Sequence, residues 1–158
     1  MKTSAGLLVY KKENEEILFF IAHPGGPFWK NKDVGAWSIP KGEFTSDENA
    51  FDAAIREFKE ETGIVPKGNF IELTPVKLKS GKMIYAWAVE DDIDADTITS
   101  NEFAFEWPPK SGKMIMIPEI DRCGWFGKEE VLEKLNVAQN AFVIELLDIL
   151  VKNSPKKV

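Results

Sequence analysis

The chain has one cysteine, Cys123, and one histidine, His23, in 158 residues. A single cysteine excludes an intramolecular disulfide and a zinc site built on several thiolates, and a single histidine excludes sites that need several imidazoles. The cysteine count indicates a reducing compartment, and we expect a cytoplasmic protein. No apolar run approaches the roughly 20 residues of a membrane span, and the apolar stretch near the N-terminus is too short for a signal-peptide core. The sequence therefore predicts no membrane association.

The chain also has only two arginines and a formal net charge of -6. This balance disfavours non-specific attraction to nucleic acid, and the sequence has no extended basic patch. The composition, 44% hydrophobic and 29% charged, is that of an ordinary globular chain. We therefore predict a single domain over residues 1–152, as a monomer or homodimer, and a disordered tail over 153–158.

Hydrophobic patterns predict mixed strands and helices. The two strands expected first are joined by a polar turn at Asn14, and a Ser-Gly turn at 80–81 joins a later hairpin. The predicted strands are 4–12, 15–24, a short one near AWSI (36–39) within the loop 25–43, 69–79, 82–90 and an edge strand at 122–126. The predicted later helices are 128–135 and 137–151. Residues 106–120 give no clear pattern. This order indicates an α/β fold with helices on both faces of a mixed sheet.

Residues 47–62 show the clearest helical period. Apolar residues recur at the spacing of a buried stripe, which consists of Phe51, Ala54, Ile55 and Phe58. Thr45 and Glu48 have the spacing of a capping box, and Gly63 stands where a glycine commonly ends a helix. We therefore predict a helix over residues 47–62, with a capping box at Thr45 and Glu48 before it and Gly63 at its end.

Three glutamates adjoin that stripe: Glu57, Glu60 and Glu61. At spacings of three and four residues they share one side of the helix, where each carboxylate raises the proton affinity of the others unless a cation joins them. From the helix alone, two interpretations stay open: a solvated charged face, or a site for hard divalent cations, which prefer oxygen ligands.

The surrounding residues favour the cation site. The pattern G-x5-E-x7-R-E-U-x-E-E-x-G-U, in which U is apolar, is matched at all of its specified positions: Gly42, Glu48, Arg56, Glu57, Phe58, Glu60, Glu61, Gly63 and Ile64. At this composition a chance match anywhere in the chain is on the order of one in ten million. The segment therefore resembles the box of the Nudix hydrolase family.

That resemblance implies an α/β/α sandwich around a mixed sheet and hydrolysis of a nucleoside diphosphate linked to another moiety. It implies that Glu57, Glu60 and Glu61 hold Mg2+, or Mn2+, with help from the backbone carbonyl of Lys41, and that one carboxylate accepts a proton from water. It implies that Arg56 orients these glutamates with Glu48 as its partner. Gly42 is expected to allow a tight backbone turn beside the metals.

The substrate is indicated by a shorter match. The segment WSIPKGE at 37–43 resembles the lead-in of dinucleoside polyphosphate hydrolases. The proline or tyrosine that marks some subfamilies about 16 residues after the box is not cleanly present, since Pro75 comes early and Tyr85 late. ADP-ribose or nucleoside triphosphate hydrolysis and a catalytically silent nucleotide-binding module remain alternatives.

Outside the box, substrate contacts are expected from Lys41, Trp29 and Lys32, each of which could instead be an ordinary loop residue. Other candidates fall into three groups, and solvation or core packing is the alternative for each. They are the loop cations Lys30, Lys110 and Lys113, the aromatic residues Phe28, Tyr85 and Trp107, and the further metal ligands Glu102, Glu106 and Glu119. His23 is expected to hydrogen-bond locally, and Cys123 to be a buried apolar residue.

Overall fold

The computed structural model describes residues 2–153. Within these residues the chain forms nine strands and three α-helices, in the order β1 Thr3–Glu13, β2 Glu16–Pro24, β3 Lys41–Phe44, α1 Ala50–Thr62, β4 Phe70–Glu72, β5 Val76–Lys77, β6 Met83–Glu90, β7 Glu102–Glu106, β8 Met114–Pro118, β9 Ile120–Phe126, α2 Lys128–Lys134 and α3 Asn140–Lys152. Of the predicted tail, Asn153 donates its N–H to Ile149 O at the end of α3, and residues 154–158 lie outside the described residues. No helix within 2–153 has the length and hydropathy needed to cross a membrane.

The sheet is mixed and is built around β1. Its main path runs β4-β6-β1-β2-β9, with β1 and β6 parallel and the neighbours β1 and β2 antiparallel. The first residues of β1 pair with β3, and β5 pairs with β6. Strands β7 and β8 form a separate two-stranded hairpin.

Alternate side chains of β1 supply two cores, one on each face of the sheet. Leu7 and Val9 pack with Phe58 of α1, whereas Leu8 packs on the other face with Phe142 of α3. Successive strand residues point to opposite faces, so a strand covered by helices on both sides is apolar almost throughout. The predicted α/β class, a mixed sheet between helices, is confirmed.

Several predicted strands are confirmed, and others are divided differently. The turn between β1 and β2 is a two-residue hairpin turn in which Asn14 and Glu15 have φ of 50° and 67°, as a type I′ turn requires. The expected strand 69–79 is two short strands, β4 and β5, which both pair with β6. Strand β7 is an addition to the prediction, and the unassigned segment 106–120 supplies β8.

The start of α1 corrects the capping prediction. Asn49 caps the helix, because its side-chain oxygen accepts the Asp52 N–H at 2.8 Å. Glu48 precedes this cap and so is not at the position that a capping box requires, and its carboxylate accepts hydrogen bonds from Arg56 instead. The C-terminal prediction is confirmed: Gly63 adopts φ of 80° and donates its N–H to Lys59 O at 2.7 Å.

Candidate active site

Three carboxylates from two parts of the chain meet beside the sheet. Glu57 and Glu61 lie one helical turn apart on α1, and Glu119 lies between β8 and β9. Each offers an oxygen within 4.8 Å of those of the other two. We call these three residues the acidic cluster. Glu119 was one of three candidates outside the box, whereas Glu102 and Glu106 are exposed on β7.

Backbone hydrogen bonds place Glu119 beside the helix. The Glu119 N–H donates to Asn101 O at 2.9 Å, and the Asn101 N–H donates in turn to Glu60 O at 3.1 Å. The Glu119 carbonyl accepts from Gly25 at 3.0 Å. The carbonyls at the end of α1, which have no partner within the helix, are thus used to anchor the base of the β7–β8 hairpin.

Two members of the acidic cluster, Glu57 and Glu61, are buried, whereas Glu119 is half-buried. Glu57 and Glu61 are 8% and 7% exposed. Burial, followed by the charge of Glu119, raises the pKa of Glu61 from 4.5 to about 9. Burial also raises the pKa of Glu57, against the opposing effect of Arg56. Carboxylates held this close in a buried site are costly unless a cation or protons compensate them.

The donor set fits a hard divalent cation. Glu61 Oε2 is buried and, among the described residues, has no hydrogen-bond partner. An oxygen left in this state at the centre of an acidic cluster is suited to coordinate Mg2+ or Mn2+, which prefer carboxylate ligands. The cluster as a whole supplies three such ligands without histidine or cysteine.

Arg56 joins three of the box glutamates, Glu48, Glu57 and Glu60. Its Nε and Nη2 donate to the two Glu48 oxygens at 2.8 and 2.9 Å, and its Nη1 donates to Glu57 at 2.9 Å and to Glu60 at 3.2 Å. These charge-assisted bonds raise the pKa of Arg56 far above its usual value, with Glu48 contributing most. Glu60 therefore points toward Arg56 with its side chain 41% exposed, and it is not part of the acidic cluster.

Gly42 leaves space for the side chain of Glu57 and does not form the predicted turn. It lies in β3, paired with Ala5 of β1. A Cβ at this position would overlap the carboxylate of Glu57. The glycine therefore leaves room for a buried carboxylate that crosses directly over the strand, and the expectation of a tight turn is corrected.

We expect Gly42→Ala to reduce activity much more than it reduces stability. The added methyl meets the flexible end of Glu57, so the carboxylate can rotate away at little cost to the fold but leaves its position in the acidic cluster. Turnover should fall by at least about tenfold, the lower end of what disturbing the surroundings of a metal ligand costs. Steady-state kinetics measure the loss of turnover, and thermal unfolding of the same samples measures the change in stability.

Glu43→Ala is the matched control for this substitution. Glu43 is the next residue of β3, and its exposed side chain pairs with Lys82 at 3.0 Å. It should retain nearly full turnover. Equal losses in the two variants would show that the strand as a whole is sensitive to substitution and that the space above Gly42 has no particular importance.

A cleft of about 260 Å³ opens beside the acidic cluster. Its lining includes Lys41, Glu61 and Glu119 together with Phe103. Burial, followed by the charge of Lys82, lowers the pKa of Lys41. The cleft thus combines carboxylates with the ammonium group of a half-buried lysine, an arrangement suited to a metal-bound anion.

The other predicted substrate residues lie on the segment between β2 and β3 and do not line this cleft. Trp29 is 36% exposed, and Lys32 Nζ lies 3.6 Å from the centre of the Phe28 ring. The buried His23 hydrogen-bonds locally, as predicted: its Nε2 donates to Lys32 O at 2.6 Å, and its Nδ1 lies 2.9 Å from Asp121. His23 thereby connects this segment to β9.

The remaining candidates have mostly structural surroundings. Trp107 stacks on Phe105 with 6.1 Å between ring centres, and Tyr85 packs edge-on against Phe44. Cys123 packs at the margin of the core, and burial raises the pKa of its thiol to about 12. Three loop lysines, Lys30, Lys110 and Lys113, are exposed.

Comparison with known proteins identifies related sequences and structures. The family model of the NUDIX domain matches residues 1–147. The rat bis(5'-nucleosyl)-tetraphosphatase [asymmetrical] is 32% identical over 108 residues, which cover 63% of this chain and 69% of that protein. Nudix hydrolase 6 of Arabidopsis thaliana is 35% identical over 72 residues, 46% of this chain, and the chain matches only 23% of that relative's length.

The fold has solved counterparts. The crystal structure of a C. elegans Ap4A hydrolase binary complex superposes with a TM-score of 0.64 at 17% identity. The match covers 96% of this chain and 99% of that one. At this identity the likeness establishes the shared fold.

Proposed function

The chain belongs to the Nudix family, and from that membership and the acidic cluster we propose that it is a Mg2+-dependent hydrolase of a pyrophosphate bond. The proposed substrate is a nucleoside diphosphate linked to another moiety. The observation that carries the proposal is a buried oxygen of Glu61, which lies among three carboxylates and has no hydrogen-bond partner within residues 2–153. A cytoplasmic location suits a chain with a lone, protonated cysteine.

The residues divide the proposed chemistry among themselves. Glu57, Glu61 and Glu119 would hold the divalent cations, with the Lys41 carbonyl at the head of β3 as a further proposed ligand. Such cations neutralise phosphate charge and make water more acidic. Arg56 holds Glu57 in place and keeps Glu60 beside it, and Glu48 fixes Arg56. The Lys41 ammonium would bind phosphate, and a carboxylate of the site would accept the proton of the attacking water.

Dinucleoside polyphosphates are the substrates that we propose. The segment WSIPKGE supports them, and so does the rat relative, whose name describes asymmetrical cleavage of a bis(5'-nucleosyl)-tetraphosphate. The segment is also fixed in place: Gln139 accepts the Ile39 N–H at 2.9 Å and donates to Ser38 Oγ at 2.9 Å. These bonds hold the chain that leads to Lys41 and Gly42.

The silent binding module is the less favoured function. A module that only binds a nucleotide can hold its phosphates with lysine and arginine side chains. It does not need buried carboxylates that repel one another. This chain retains Glu57 and Glu61 and adds Glu119 to them. The cost of burying this cluster without a cation supports a metal-dependent role.

Mass-resolved product analysis tests the proposal. Diadenosine tetraphosphate with Mg2+ should give ATP and AMP in equal amounts, and performing the reaction in 18O-labelled water should label one product. The panel also contains ADP-ribose, nucleoside triphosphates, sugar nucleotides and dinucleotide cofactors. A preference for ADP-ribose or a triphosphate would replace the proposed substrate, while absence of turnover with both Mg2+ and Mn2+ would overturn the hydrolase itself.

A further inference from the structure

Gln139 is a buried polar residue whose side chain its own helix does not use. It stands at the N-cap position of α3 and is 2% exposed. Short polar side chains are preferred at that position, because they bond to the first N–H groups of the helix. Within residues 2–153 the Gln139 side chain makes no such capping bond. A buried amide costs free energy unless its donor and its acceptor are both satisfied, so its partners must explain why it is there.

The partners of Gln139 are two residues that are distant in the sequence, Ser38 and Ile39. Gln139 Oε1 accepts the Ile39 N–H at 2.9 Å, and Gln139 Nε2 donates to Ser38 Oγ at 2.9 Å. Ser38 Oγ donates in turn to Ile39 O at 2.7 Å. Both polar backbone groups of Ile39 are thus connected to Gln139, one directly and the other through Ser38.

These three hydrogen bonds fill a gap in the backbone pairing of the segment. Before the gap, Ser38 exchanges two backbone bonds with β2, at 2.8 and 2.9 Å. After it, β3 begins at Lys41. Pro40 has no N–H, so the Ile39 N–H is the one backbone donor of the two residues between. Gln139 accepts that hydrogen bond in place of a neighbouring strand.

The position of Ile39 is passed on to Lys41 through Pro40. The proline ring fixes φ of Pro40, which removes one of the rotations that could absorb a shift of Ile39. Strand β1 blocks movement on one side, because Pro40 O accepts the Leu7 N–H at 3.3 Å and a Cβ on Gly6 would lie 2.6 Å from Pro40 O. A displacement of Ile39 should therefore move the backbone of Lys41.

The segment 38–41 forms one wall of the cleft that contains Glu61 and Glu119, and Gln139 is not among the residues that line this cleft. We propose that Gln139 is a positioning residue that fixes the Lys41 carbonyl for the divalent cation and thereby sets the affinity of the site for that cation. This inference rests on the proposed function, in which the Lys41 carbonyl is a metal ligand. Residues that orient a metal ligand without touching the metal commonly control its affinity.

The test begins with Gln139→Leu, which removes both hydrogen bonds and keeps a similar volume. The dissociation constant for Mn2+ is measured by electron paramagnetic resonance on the protein without nucleotide. We expect it to rise about ten- to a hundredfold, the usual cost of losing a residue that orients a metal ligand. The metal concentration that gives half-maximal turnover should rise in parallel. Turnover at saturating metal should recover toward the wild-type value, because the acidic cluster is unchanged.

Val143→Ala is the matched control for stability. Val143 lies one helical turn further along α3, is fully buried and packs in the core. Its truncation should lower Tm, because it leaves a cavity, but Mn2+ should bind as tightly as to the wild type. A merely structural role of Gln139 would likewise lower Tm and leave Mn2+ affinity unchanged.

Ser38→Ala tests the same connection from its other end. It breaks the bonds made through the Ser38 hydroxyl and keeps the bond between Gln139 and the Ile39 N–H, so the dissociation constant for Mn2+ should rise less than in Gln139→Leu. Combined with Gln139→Leu it should add little, because residues in one hydrogen-bond network are not additive. Unchanged Mn2+ affinity in folded Gln139→Leu, or an equal loss in Val143→Ala, would overturn the proposal. If Gln139→Leu does not fold, unchanged Mn2+ affinity in Ser38→Ala would overturn it.

Metal binding without nucleotide separates this inference from the proposed hydrolysis. If the wild type hydrolyses nothing on the panel but binds Mn2+, and Gln139→Leu weakens that binding, the positioning role stands and the hydrolase does not. If the wild type hydrolyses a nucleotide and Gln139→Leu binds Mn2+ like the wild type, the hydrolase stands and the positioning role does not.

Discussion

Glu61→Gln should lose nearly all turnover while the protein remains folded. The substitution keeps the shape of the side chain but removes a negative charge from the centre of the acidic cluster. Losing only an outer partner of a metal ligand costs roughly 10–100-fold, so loss of the ligand charge itself should cost on the order of a hundredfold or more. Steady-state kinetics across a Mg2+ titration, with circular dichroism as a check of folding, measure the effect.

Two other glutamates make this result specific. Glu60 contacts Arg56 and is not in the acidic cluster, so Glu60→Gln should lose less than Glu61→Gln. Glu72→Gln alters an exposed carboxylate on β4, at the opposite end of the sheet from β9, and should be fully active. Retention of full turnover by Glu61→Gln would refute its metal role, and an equal or greater loss at Glu60 would require a different arrangement of metal ligands.

The local parts of the site could be predicted from the sequence. Residues close together in the sequence determine three of these parts: the apolar stripe of α1, the glycine that ends the helix, and the placement of Glu57 and Glu61 one turn apart. The same periodicity predicted Glu60 as a third metal ligand. Helical geometry alone does not show which of the carboxylates bonds to a neighbouring arginine. Arg56 decides this in the structure by bonding to Glu48, Glu57 and Glu60 together.

The parts that the sequence did not predict depend on distant contacts. Glu119 was indistinguishable from Glu102 and Glu106 because its position is set by backbone bonds to Asn101 and Gly25. Strand β3 lies in a segment rich in glycine, proline and lysine, and it is a strand because Lys41–Phe44 pairs with the first residues of β1. In both cases a tertiary contact overrides the local preference of the chain.

The buried carboxylates also predict that the metal-free protein becomes less stable as pH rises. Glu61 has a pKa of about 9 in the folded state and an ordinary value of 4.5. At pH 7 the folded protein therefore keeps a proton that the unfolded chain releases. The stability associated with this group is fully present below pH 4.5 and is lost as pH rises toward 9, and the raised pKa of Glu57 acts in the same direction.

Between pH 5 and pH 8 the metal-free protein should lose on the order of 2–4 kcal/mol of unfolding free energy, a fall of roughly 5–15 °C in Tm. Glu61→Gln should flatten this slope, because its amide has no proton to release, whereas Glu72→Gln should retain it. Added Mg2+ should stabilise the wild type most at the upper end of this range, since ligation requires ionised carboxylates. Thermal unfolding at several pH values, with a chelator and with Mg2+, measures how Tm changes with pH for each variant and condition. If wild type and Glu61→Gln show the same pH dependence, Glu61 is not the buried proton carrier, and the requirement for a cation at this cluster loses its main electrostatic support.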